Sequence, residues 1–194
     1  MKLVVGHLFP DYLNIYADRG NIAVLTRRAA WRGHELEVHA LGAGDTVTVN
    51  SGGNQPTLSS GSATVGQVTV NSGATLTIGS GGALTLTNGL TGDGNLTVNS
   101  GGTLNWNGGV MNGAGTTAIN SGGTLNLGSS YGQLQRAMTS AGTTNCTASG
   151  YIYLISPGTY TNSGTFNISN DYYGWYGDGT TTVNNSGTVV RNTS

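Results

Sequence analysis

A chain of 194 residues carries seven basic and eight acidic side chains, a net charge of −1, and a single cysteine. That balance gives no electrostatic case for nucleic acid or an anionic membrane. One cysteine excludes an intrachain disulfide framework and a cysteine-based zinc site. Only 8% of residues are charged, against about 25% in an ordinary soluble domain, and glycine reaches 34 residues.

The charge is unevenly placed. Beyond residue 45 only Asp93, Arg136, Asp171, Asp178 and Arg191 are charged, and His7, His34 and His39 all lie before that point. The break at Gly42–Asp45 predicts two pieces: a truncated β-α-β fragment over 1–44 and a β-solenoid repeat domain over 45–194. No apolar run approaches the roughly 18–20 residues of a membrane span. At the start, LVVGHLF is interrupted by His7 and stopped by Pro10-Asp11, so no signal peptide is expected.

In chain order, KLVVGHLF predicts a buried parallel strand and FPDYLNIYADRG a loop. IAVLTRRAAWRG predicts an amphipathic helix with Asn21 as its cap, Ile22, Leu25 and Ala29 on one face and Gly33 as its stop. Arg27, Arg28 and Arg32 read as its solvated face. HELEVHAL supplies a second strand, completing one β–loop–α–β unit.

LFPDYLNIYADRGNIAVLTRRAAWRG resembles the amino-terminal signature of the glutaminase subunit of lipid II isoglutaminyl synthase, a cobyric-acid-synthase-like class I glutamine amidotransferase. The matching residues are Pro10-Asp11, Leu13-Asn14, Tyr16, Asp18-Arg19-Gly20-Asn21, Arg28 and Trp31-Arg32-Gly33; Ala17 departs from the usual glycine. The resemblance implies a cysteine on a strand–turn–helix elbow, a distant histidine and ammonia delivery to a ligase partner. It ends near residue 42. The only cysteine, Cys146, sits in TTNCTASG without a glycine-flanked elbow, and no histidine follows His39. An acyl-transfer site needs nucleophile, base and oxyanion donors together, so no catalytic residue is expected in this chain.

The remainder repeats. Turns of NSG type begin at Asn50, Asn71, Asn99, Asn120, Asn162 and Asn185, with a degenerate copy at Thr139, at spacings of 21, 28, 21, 19, 23 and 23. Alternating apolar pairs follow most of them: Leu76/Ile78, Leu104/Trp106, Leu125/Leu127 and Phe166/Ile168. Period-two alternation marks a strand with one buried face, and glycine and asparagine suit the sharp turns between strands. Short strands at this interval predict a mainly β fold, a right-handed parallel β-helix of about seven coils. Strands about 4.8 Å apart would make a rod on the order of 33 Å long, with turn asparagines stacked in ladders. The extra seven residues between Asn71 and Asn99 are expected to form a loop or a doubled short strand. Cys146 aligns with Ile78, Trp106 and Leu127, which predicts a buried, inert thiol.

These units resemble the passenger regions of bacterial autotransporters and filamentous haemagglutinin-like adhesins. That implies a secreted or surface rod whose contacts reside in loops, with surface glycans or other solenoid chains as partners. In NDYYGWYGDG, Asp171, Tyr172, Tyr173, Trp175, Tyr176 and Asp178 are the candidate glycan contacts, because aromatic faces beside carboxylates stack on sugars. Thr46/Thr48, Thr75/Thr77, Thr85/Thr87 and Thr180/Thr182 resemble the threonine rows of ice-binding solenoids. No metal or cofactor is expected. The sequence thus reads as a non-catalytic structural or adhesive rod behind an inactive amidotransferase-like start, a pairing that suggests a chimeric or artificial chain. The alternatives are a glutaminase fragment and a carbohydrate- or ice-binding solenoid.

Overall fold

A computed structural model describes residues 2–8, 16–41, 44–128, 131–147, 152–169 and 174–192. The chain divides into two compact units, Met1–Asp45 and Thr46–Ser194. In the first, strand β1 (Lys2–Leu8), helix α1 (Tyr16–Trp31) and strand β2 (Glu35–Leu41) follow one another. The two strands pair in parallel from Lys2↔Glu35 to Leu8↔Leu41. α1 starts at Tyr16, five residues before the expected cap, so Tyr16–Gly20 is helical and Asn21 lies inside the helix. Its end is as expected. Gly33, at φ 70°, donates to the Ala30 carbonyl at 3.0 Å and His34 to that of Ala29 at 2.9 Å, a Schellman motif. Ala29 is buried while Leu25 and Trp31 are exposed, because a two-stranded sheet offers a helix little area to cover.

The second unit is a β-solenoid of parallel strands. Each coil contributes three short strands, and equivalent strands of successive coils pair in register as three stacks. The third stack is the simplest: Gly61–Val65, Gly82–Leu86, Thr103–Trp106, Thr124–Leu127, Thr143–Cys146, Thr165–Ile168 and Thr188–Arg191, all parallel. Seven rungs are separated by about six turns. The second stack holds Thr75–Ile78, Asn95–Val98, Thr159–Asn162 and Thr182–Asn185 among its rungs; the first holds Thr46–Val49, Gln67–Val70, Ile152–Leu154 and Trp175–Gly177. The long strands Val110–Ile119 and Gln133–Ser140 run round the corner and serve both stacks.

This geometry decides the 28-residue interval in favour of an extra short strand, with four strands between Asn71 and Asn99 where a coil has three. Asn71 follows a first-stack strand, whereas Asn99 follows a second-stack strand. The NSG turn moves to the next corner there, and seven residues is one side of a three-sided coil of about 21. No loop is inserted. For the same reason Ile78 is not in the Cys146 column. It stacks with Val98 and Ile119, while Cys146 continues Leu86, Trp106 and Leu127.

Alternation sorts the side chains. Inward positions such as Leu84, Leu104, Leu125, Leu86, Trp106 and Leu127 are almost wholly buried. Each such side chain contributes about 1.5–3 kcal/mol on burial. In the last rung Val183 and Val189 stay half exposed, with one neighbouring coil to cover them. Asparagines stack as expected at the turns: Asn71 Nδ2 donates to Asn50 Oδ1 (2.7 Å), Asn120 to Asn99 (2.9 Å) and Asn162 to Asn185 (2.7 Å). A longer ladder runs within the strands of the third stack. Asn105 donates to Thr85 Oγ1, Asn126 to Asn105, Asn145 to Asn126 and Asn167 to Asn145, at 2.8–3.1 Å.

One buried charge interrupts this apolar and amide order. Opposite Arg136, the neighbouring strand bulges between Asn112 and Thr116. Gly113 and Gly115 lie in that bulge, over Gly92 and Gly94 of the coil before. The glycines leave room for the guanidinium. Arg136 Nη2 donates to the Gly94 carbonyl at 2.7 Å, and Nη1 to Asn112 and Gly92 at 3.2 and 3.3 Å. Burial lowers its pKa to about 10, opposed by the nearby Asp93 carboxylate.

Candidate aromatic binding site

The strand Trp175–Gly177 decides the fate of the aromatic candidates, because neighbours on a strand point to opposite faces. Trp175 turns inward. Its ring lies 4.5 Å from that of Tyr160 and 6.4 Å from that of Phe166, both core residues. Tyr160 donates to Thr144 Oγ1 at 3.0 Å, and burial pushes its phenol pKa up, offset by the hydroxyls of Thr144 and Ser140. Tyr176 turns outward and is 52% exposed. Asp171, Tyr172 and Tyr173 lie outside the described residues.

Tyr176 has company from other coils. It is in register with Tyr153, and their rings meet edge to face at 5.6 Å. Tyr153 in turn stacks on Tyr131, at 6.2 Å and 30°. Three tyrosines from three successive coils thus form one strip beside the first stack. Tyr131 is 60% exposed and has φ 71°, the left-handed region a tyrosine rarely adopts. Gln133 is in register with Tyr153, and Gln135 Nε2 donates to Gln133 Oε1 at 3.0 Å. Sequence reading singled out Tyr176 and missed Tyr131 and Tyr153. The alternation of YIYL, with Ile152 and Leu154 inward, was the available sign that Tyr153 points out.

Asp178 holds a turn together. Its carboxylate accepts from the Ser156 amide (3.0 Å), the Thr180 amide (3.0 Å) and the Thr180 hydroxyl (2.8 Å). Those donors lower its pKa from an ordinary 3.8 to about 2, so it is ionised at neutral pH. Among the described residues no three His, Cys, Asp or Glu side chains gather as a metal site.

The four Thr-x-Thr pairs do not share a face. Thr46/Thr48 lies on the first stack and Thr75/Thr77 on the second; Thr87 and Thr180 lie outside the strands. The continuous rows are on the third stack, where Thr103, Thr124, Thr143, Thr165 and Thr188 align beside the asparagine ladder. Cys146 is buried in the column behind them. Among the described residues, no helix is long and apolar enough to cross a membrane.

The larger unit is therefore a β-solenoid with an exposed tyrosine strip. No family model, curated protein or solved structure matches the chain.

Proposed function

We propose that the protein is a non-catalytic structural or adhesive rod of bacterial surface-protein type, preceded by an amidotransferase-like fragment without activity. The observation that carries this reading is the ladder from Thr85 through Asn105, Asn126 and Asn145 to Asn167, in which five successive rungs of the third stack are tied by side chains as well as backbone. Such coupling makes a stiff, extended scaffold of small cores rather than a cleft. The burial of Cys146 supports the non-catalytic part, since a nucleophile must be reached by its substrate. Partners on this reading are surface glycans or other solenoid chains.

The test uses the full chain coupled to beads, with adhesion to polysaccharide- and protein-coated surfaces measured under flow, alongside ammonia release from glutamine. Retention above uncoated beads with no ammonia above the uncatalysed rate is expected. Ammonia release abolished by Cys146→Ser would overturn the non-catalytic reading in favour of a glutaminase. Retention equal to uncoated beads on every surface would remove the adhesive one.

A further inference from the structure

Seven of the nine tyrosines, Tyr131, Tyr151, Tyr153, Tyr160, Tyr172, Tyr173 and Tyr176, fall between residues 131 and 176. A solenoid needs no such concentration, since Leu, Ile and Val fill its inward positions. Among the described ones only Tyr160 is a core residue. Tyr131, Tyr153 and Tyr176 instead contact one another in turn from coil to coil, with centroid separations of 6.2 and 5.6 Å. Aromatic area kept in water at this density marks a contact surface. The backbone at Tyr131 argues the same way. Its φ of 71° suits glycine, and a tyrosine held there in an exposed position is strain kept for the side chain it places.

The surroundings of the strip select the ligand. Between residues 46 and 190 the only basic side chain is Arg136, which is buried. An anionic chain would find no counter-charge here and would meet the Asp178 carboxylate. What the surface offers is aromatic faces, the amides of Gln133 and Gln135, and threonine and asparagine in neighbouring coils. That combination suits an uncharged polyhydroxylated chain, whose C–H faces pack on rings and whose hydroxyls bond to amides. Repetition over three coils suits a polymer more than a single sugar.

We propose that Tyr131, Tyr153 and Tyr176 form a binding strip for a neutral polysaccharide lying along the first stack. The proposal rests on the adhesive reading above and names the substrate class of that adhesion. Tyr131 and Tyr176 supply the exposed ring faces, and Tyr153 holds both rings in place between them.

The experiment is native electrophoresis of the full chain through gels containing hydroxyethylcellulose, mixed-linkage β-glucan, galactomannan or polygalacturonate. Retardation by at least one neutral polymer and none by polygalacturonate is expected. Tyr176→Ser should weaken the retardation about tenfold in apparent Kd, while Thr124→Ala on the third stack leaves it unchanged. Tyr131→Gly separates binding from folding. Glycine fits the φ at this position, so its melting temperature should stay level or rise while affinity falls about tenfold. Retardation only by polygalacturonate, or undiminished in Tyr131→Gly and Tyr176→Ser, overturns the strip. So does no retardation by any neutral polymer. In that case beads still held on protein-coated surfaces leave the adhesive rod standing, and beads held nowhere remove both.

Discussion

Arg136 Nη2 donates a 2.7 Å hydrogen bond to the carbonyl of Gly94, 42 residues earlier in the chain. Its guanidinium reaches from its own coil past the bulge of the next to the one beyond, and joins three carbonyls that would otherwise face an apolar interior. A buried cation costs several kcal/mol in desolvation, which these bonds must offset. Arg136→Ala removes the donors and leaves a void, so stability should fall by about 3–5 kcal/mol in denaturant titration. Arg136→Lys should recover only part, because an ammonium cannot span the same carbonyls. An unchanged midpoint in the alanine variant would mean that the guanidinium is merely tolerated.

Gly115 tests the other half of the same contact. A Cβ there would collide with the Gly94 carbonyl oxygen and come within 2.7 Å of Arg136 Nη2. Neither backbone can move without disturbing the ladder, so Gly115→Ala should destabilise by roughly 3 kcal/mol. Gly52→Ala, where nothing lies within 4 Å, should stay within about 0.5 kcal/mol in the same thermal melts.

Much of the solenoid was legible because the same physics acts in every coil. Leu104/Trp106 and Leu125/Leu127 alternate in sequence and are buried together in the structure. What sequence could not supply was the corner at which each turn sits. NSG suits any corner of the coil, so Asn71 and Asn99 looked like one series although they close different sides. Arg136 was illegible for a related reason. Its burial depends on glycines 21 and more residues away, a relationship visible only once the register is known. The aromatic candidates were half legible: Tyr176 was singled out from its neighbours in sequence, while its ring partners Tyr153 and Tyr131 come from earlier coils.

Asp178 gives a pH signature. Its pKa is lowered in the folded chain, from 3.8 to about 2, by the amides of Ser156 and Thr180 and the Thr180 hydroxyl. A depressed folded-state pKa stabilises above the unfolded value and is lost as pH falls through the folded one. The difference in melting temperature between the protein and Asp178→Asn should therefore be constant above about pH 5 and shrink between about pH 4 and 2. A difference independent of pH would place the effect in packing.

Cys146 should be silent in the folded protein. Its side chain is buried behind the third stack, and exposure requires coils to open. Iodoacetamide labelling followed by mass spectrometry should run about a hundredfold or more slower in buffer than in denaturant. Equal rates would show that the coils around residue 146 open freely.

Asn126 occupies the middle of the longest ladder, donating to Asn105 Oδ1 at 2.8 Å and accepting from Asn145 at 2.9 Å. Substitution by alanine removes both links and strands the Asn145 amide, so a loss of about 1–2 kcal/mol is expected. Asn126→Asp is the sharper probe, since it preserves shape and acceptor. Ionised, the aspartate still accepts from Asn145 but sets a carboxylate against the Asn105 carbonyl oxygen. Protonated, it can donate in place of the lost amide. The aspartate variant should therefore be the less stable at pH 7, and the gap to the parent protein should narrow as pH falls towards about 4 and stay level below it, because the repulsion raises the folded-state pKa above the unfolded value. The comparison is read as the difference between the two melting curves at each pH, which cancels the contribution of Asp178 common to both. A gap that does not change with pH would mean the side-chain ladder lies on the surface without binding the coils, and that the backbone alone holds the rod.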